Sequence, residues 1–164
     1  RVLPEDNWNW FDPDVVAWKS RIGLTPEFLR DLQELRRIVE PAAVRMAALR
    51  AKSLALSELF IAQVHSRLAA HPLTINSPLD AAQRGSQVSL GCGALPAGAG
   101  YAIMQALIAR GVIGDFRAPD IIRCGFTPLF IDADDVAKAI AIVADIMQNQ
   151  LWDRPEYKTR AKVT

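Results

Sequence analysis

The chain is 164 residues long, 51% hydrophobic and formally charged +1, enough apolar content to bury a core spread over one or two small domains. A charge so near neutral, with no run of arginine or lysine, gives no electrostatic footprint for nucleic acid. No apolar stretch approaches the roughly 18 residues of a membrane span, and no basic region followed by an apolar run opens the chain, so a soluble cytoplasmic protein is expected.

Residues 1–20 carry Trp8, Trp10 and Trp18 among prolines and acids, the pattern of an irregular or short helical lead-in. Thr25-Pro26-Glu27 is a helix start: a threonine cap, proline at the first helical position and an acid in the first turn. Phe28, Leu32, Leu35 and Val39 then form an apolar stripe at helical spacing. Pro41 is expected to bend or break this helix, because proline removes a backbone donor and its ring crowds the preceding turn. Leu56, Phe60, Val64 and Leu68 continue at i+4, predicting a helix over about 52–69 that ends at His71-Pro72. Leu73 to Asn76 reads as a short strand and the alternation over Gln87 to Leu90 as a half-buried one. The glycine-rich GCGALPAGAG that follows lacks the lysine and hydroxyl end of a phosphate loop and reads as a flexible connector.

Tyr101 to Arg110 is a predicted helix with Ile103, Leu107 and Ile108 facing inward and Gly111 as its stop. Val112 to Phe116 is a predicted strand, and Arg117 to Asp120 the turn into another strand over Ile121 to Phe126. Asp132 caps a long helix whose buried stripe is Val136, Ile140, Val143 and Met147, which makes Asp134 and Asp135 helix-start acids in place of a catalytic pair. Trp152 and Tyr157 are expected to pack an otherwise solvated tail. The fold class is therefore α+β: a small sheet over residues 73–150 covered on one face by helices, with an N-terminal helical extension.

Chemistry concentrates on one residue. On the strand through Ile121 to Phe126, alternation puts Ile122, Cys124 and Phe126 on an apolar face and Arg123 and Gly125 on the other. An arginine on a rigid strand beside the gap a glycine leaves can take a carboxylate through two parallel hydrogen bonds. A salt bridge to a neighbouring Asp, or a solvated edge charge, fits the same pattern. His65 and His71 have no third histidine beside them and read as surface or packing residues, so no metal site is expected. Cys92 and Cys124 lack a CxxC spacing and are expected as reduced thiols.

RGSQVS, YAIMQALIARGVIGDFRAPDIIRCGFTPLF and WDRPEYKTRAKVT resemble the C-terminal small domain of bacterial kynureninase, a fold-type-I pyridoxal phosphate enzyme, from about Leu49 to Thr164. The resemblance implies hydrolysis of L-kynurenine to anthranilate and L-alanine in tryptophan catabolism. It also implies that Arg123, in the segment matching RFGFTPLY, binds the substrate α-carboxylate. Two departures stand out: Cys124 replaces the usual aromatic, and LGCGALPAGAG replaces a short polar link. The cofactor lysine of that family belongs to a large domain earlier in the chain, and Lys19, Lys52, Lys138, Lys158 and Lys162 do not sit in a matching motif. Neither a catalytic nor a cofactor-binding residue is therefore assigned, and the chain by itself is expected to be inactive. A homodimer, or association with a full-length enzyme, is the assembly the resemblance allows. Residues 1–50, by contrast, resemble through DNWNWFDPDVVAW and FLRDLQELRRIVEPAAVRMAA the opening of the FCD ligand-binding domain of GntR-type repressors. Two domains are thus expected, 1–50 and 51–164. A non-enzymatic regulatory module and a non-functional fusion remnant are the alternative readings.

Overall fold

A computed structural model describes residues 12–23 and 25–159, so the expectations for Trp8 and Trp10 lie outside the described residues. The chain divides into two compact units, 1–46 and 47–164. In the first, Asp12 caps α1 (Pro13–Ile22) by accepting the Asp14 N–H at 2.8 Å. Helix α2 (Pro26–Arg67) starts as its sequence dictates, with the Phe28 N–H donating to Thr25 Oγ1 at 3.2 Å.

The break expected at Pro41 is absent, since α2 continues through it for 42 residues. Proline costs an interior helix about 3 kcal/mol, which good helix formers on both sides can offset. Here Leu35, Arg36 and Arg37 precede it, Ala42 and Ala43 follow, and Arg36 Nε reaches Glu40 at 2.7 Å one turn along the helix. The apolar residues of this stretch remain exposed, Leu32, Val39 and Met46 among them.

The second unit is the α+β body. Strands β1 (Thr74–Ile75), β2 (Gln87–Gly91), β3 (Asp115–Arg117) and β4 (Ile121–Gly125) form an antiparallel sheet in the order β1-β2-β4-β3. Val88, Leu90, Ile122 and Phe126 leave its apolar face for the core, where they join residues of α2, α3 (Ala99–Ala109) and α4 (Ala133–Gln148). From α2 come Leu56, Phe60, Ile61 and Val64, joined by Leu68 just past its end, with the Phe60 ring 5.2 Å from that of Phe126. Helix α4 buries Val136, Ile140, Val143 and Met147, the stripe its periodicity predicts. Its start is a capping box in which Asp132 accepts from Asp134 and Asp135 while Asp135 accepts from the Asp132 N–H. Trp152 is buried and Tyr157 packs against the core, as expected of the tail, which ends in α5 (Pro155–Lys158).

Three expectations shift in detail. Ile108 is 42% exposed rather than inward, because the inward face of α3 is taken by Ala102, Ile103, Ala106 and Leu107 and Ile108 lies beyond its edge. The strand predicted at 112–116 forms over Asp115–Arg117, starting three residues later and ending one later, since register pairs Asp115 with Arg123 and Arg117 with Ile121, drawing Arg117 out of the turn and leaving Ile113 exposed. The supposed flexible connector is a set of hydrogen-bonded turns: the Cys92 N–H donates to Asp120 at 2.8 Å, the Leu95 N–H to Cys92 at 2.9 Å, and Cys92 is buried. Gly111, at φ 85°, ends α3 in the left-handed conformation that glycine adopts without steric cost.

Candidate functional site

Because strand side chains alternate, the face of the sheet opposite the core carries Gln87 and Ser89 from β2, Arg123 and Gly125 from β4, and Asp115 and Arg117 from β3. Register aligns Ser89, Arg123 and Asp115 as one row across three strands. Arg123 therefore lies on an interior strand, hydrogen-bonded on both sides, with a half-buried side chain. A Cβ at Gly125 would meet nothing within 4 Å, so the gap expected beside Arg123 is open.

The Arg123 guanidinium is paired. Its Nε donates to Asp115 Oδ2 at 3.0 Å and its Nη2 donates to the same oxygen. Arg117 Nε donates to that oxygen too, at 2.9 Å. One carboxylate thus sits between two guanidiniums, and the cluster keeps one uncompensated positive charge. Hydrogen bonding to Arg123, aided by the charge of Arg117, holds the Asp115 carboxyl below the usual carboxylate range.

Sequence reasoning singled out Arg123 but not Asp115 or Arg117. The signal was available: Asp115 and Arg117 are two apart and share a strand face that a short turn folds back onto β4. Arg84, in RGSQVS, has no role legible from sequence. Arg84 is 4% exposed, its Nη1 donating to the carbonyls of Pro78 and Leu79 at 2.7 and 2.9 Å and its Nη2 to Glu58. Arg50 fastens the same loop, donating from α2 to the carbonyls of Ala81 and Arg84 at 3.1 and 2.6 Å. Two residues beyond Arg84, the Ser86 carbonyl accepts the Phe126 N–H at 2.8 Å, so this anchorage reaches the end of the Arg123 strand.

The other candidates are not brought to this face. Cys92 and Cys124 are free thiols; burial and the Asp120 charge push Cys92 up to about 11, and burial pushes Cys124 to about 12. No group of three or more His, Cys, Asp or Glu able to hold a metal occurs among the described residues. An opening of about 500 Å³ lies between the turn after β2 and the β3–β4 turn, lined by Cys92, Gly93, Leu95, Pro119 and Asp120 and not by Arg123. No helix among the described residues is long and apolar enough to cross a membrane.

The lysines decide the fit of a pyridoxal cofactor. Lys52 Nζ donates to the Pro128 carbonyl at 2.7 Å, Lys138 faces Asp135 and Lys158 pairs with Asp153 at 2.6 Å. All three are exposed, while the side chains of Lys19 and Lys162 lie outside the described residues. The residues described here do not form a site for that cofactor.

Comparison with known proteins gives a family match within the second unit and relatives whose likeness reaches into the first as well. The Kynureninase C-terminal domain family matches residues 49–143. A kynureninase of Burkholderia mallei (strain SAVP1) is 49% identical over 154 residues, 94% of this chain and 36% of the relative. The kynureninase of Burkholderia pseudomallei (strain K96243) gives the same figures. A kynureninase of Pseudomonas fluorescens is 46% identical over 123 residues, 75% of this chain and 28% of the relative. The chain spans about a third of the length of these relatives.

Proposed function

Since the chain belongs to the kynureninase family through the C-terminal domain matched over residues 49–143, we propose that it supplies the substrate-carboxylate site of a kynureninase. In this reading Arg123 takes the α-carboxylate of L-kynurenine, in the reaction that yields anthranilate and L-alanine. The observation that carries it is the placement of Arg123: an interior strand fixes its backbone, Gly125 leaves space beside it, and the surrounding cluster keeps net positive charge. Kynureninases use pyridoxal phosphate, which supplies an electron sink for the bond being cleaved. The described residues provide no imine lysine for it, so no cofactor step is assigned here. What this chain's residues do is bind and orient the carboxylate, with β2 and β3 holding the arginine strand on either side.

The test is isotope-edited NMR of the chain titrated with L-kynurenine. Perturbation of the Arg123 side chain, lost in Arg123→Ala with the backbone spectrum retained, supports the reading. Unchanged binding in that variant refutes it. In parallel, the purified chain with pyridoxal phosphate should release no anthranilate; release that Arg123→Ala abolishes would show that the missing lysine has been misjudged.

A cytoplasmic location belongs to the same proposal and is supported by the two free thiols, which suit a reducing compartment; pairing with a second copy or a longer kynureninase chain is part of the same reading. For residues 1–50 the reading is a helical segment of separate origin, like the start of an FCD domain. The division of the chain at 46/47 and the start of the family match at 49 support it. The Burkholderia matches count the other way: only 10 residues (164 less 154) can fall outside them, so they extend well into this segment.

A further inference from the structure

We propose that Asp115 is a positioning residue for the carboxylate site, fixing the guanidinium of Arg123 along its side edge so that its end edge is presented to an incoming carboxylate. The proposal rests on the reading of Arg123 given above and adds how that arginine is made ready.

A guanidinium offers five N–H donors and two edges able to grip a carboxylate: the side edge formed by Nε and Nη2, and the end edge formed by Nη1 and Nη2. Asp115 takes the side edge, with Nε and Nη2 both donating to its Oδ2. Nη1 has no hydrogen bond among the described residues, and Nη2 has a second hydrogen to give. The end edge is therefore free. A carboxylate acting as a stand-in for substrate would take the end edge, where both terminal nitrogens donate in parallel. Asp115 does not.

Three features make the arrangement lasting. Asp115 lies directly opposite Arg123 in the β3–β4 register, so its backbone is set by the sheet. Its Oδ2 also accepts from Arg117, which ties it from a second side. Arg117 further offsets its charge, leaving the trio one positive charge with which to attract an anion. A long, partly exposed side chain otherwise keeps much of its rotamer freedom, part of which is already lost here before the ligand arrives.

The experiment uses the intact chain, nitrogen-15 labelled on arginine, with L-alanine as the carboxylate probe. In the wild type, L-alanine should shift the terminal Nη signals of Arg123 and leave its Nε–H signal in place, because the contact with Asp115 persists on binding. Asp115→Ala should bind L-alanine roughly tenfold more weakly, the effect of losing one charge-assisted contact that orders the site. Equal or tighter binding by that variant overturns the proposal and marks Asp115 as a competitor. So does movement of the wild-type Nε–H signal on adding L-alanine, a result that needs no variant to fold. Arg123→Ala separates the two readings: no difference between it and the wild type refutes the carboxylate site itself. Loss in Arg123→Ala with full affinity in Asp115→Ala removes only the role of Asp115.

Discussion

Replacing Arg84 by methionine should destabilise the 47–164 unit by about 3 kcal/mol, far more than neutralising its charged partner. Methionine keeps the buried aliphatic stem, so the difference isolates the guanidinium. Nη1 donates to two backbone carbonyls, Pro78 and Leu79, and hydrogen bonds from a charged donor contribute about 1.5–3 kcal/mol each. The ion pair with Glu58, whose side chain is 51% exposed, adds at most about 1 kcal/mol after solvent screening. Against these stands Arg84 Nε, a buried donor without an acceptor, whose removal returns about 1–3 kcal/mol. The balance is a loss of about 3 kcal/mol, and Glu58→Gln should lose less than about 1 kcal/mol. Urea unfolding followed by circular dichroism reads both: with an m-value of about 2 kcal/mol/M, Arg84→Met should lower the midpoint by roughly 1.5 M. If Glu58→Gln lowers it as far, the side-chain pair and not the two carbonyls holds the loop, and the reasoning fails.

Gly125→Leu should leave stability within about 0.5 kcal/mol of wild type, since its Cβ meets nothing within 4 Å, while abolishing carboxylate binding in the L-kynurenine titration. Asp132→Ala should lower the melting temperature at neutral pH and lose that effect in acid. The folded carboxyl of Asp132 is held low chiefly by the Asp135 N–H, so its stabilisation is present above the unfolded value of about 4 and disappears as pH falls through the lower folded value. Melting curves from pH 6 down to about 2 should converge for the two proteins. Cys92 and Cys124 should resist iodoacetamide at pH 8 in the folded chain and react fully in urea. Their raised values also mean that the stability they contribute is present below the ordinary thiol range and is lost as pH rises toward about 11 and 12.

The elements that sequence placed well are those whose own residues carry the instruction. Asp132 with Asp135, and the stripe from Val136 to Met147, specify α4 locally, and Leu56, Phe60 and Val64 do the same for the buried half of α2. Arg123 and its open neighbour Gly125 were readable from alternation alone. What alternation could not supply was the partner. Whether Arg123 meets Asp115 depends on where β3 pairs along β4, and that register is fixed across strands rather than along the chain. Arg84 was missed for a similar reason, because its acceptors are backbone carbonyls, which leave no mark in sequence. Pro41 shows the reverse error, a strong local rule outweighed by the helix formers around it.

The sheet closes with short strands at both margins: β1 has two residues and β3 has three. An incoming chain needs a longer run of unpaired N–H and C=O groups to lay down a new strand, and the β3 margin also bears the charges of Asp115 and Arg117. The two long strands, β2 and β4, are interior and already have neighbours on both sides. The body therefore has little on which strand-by-strand growth between copies could be templated, and the longest runs of strand backbone are kept for the arginine row.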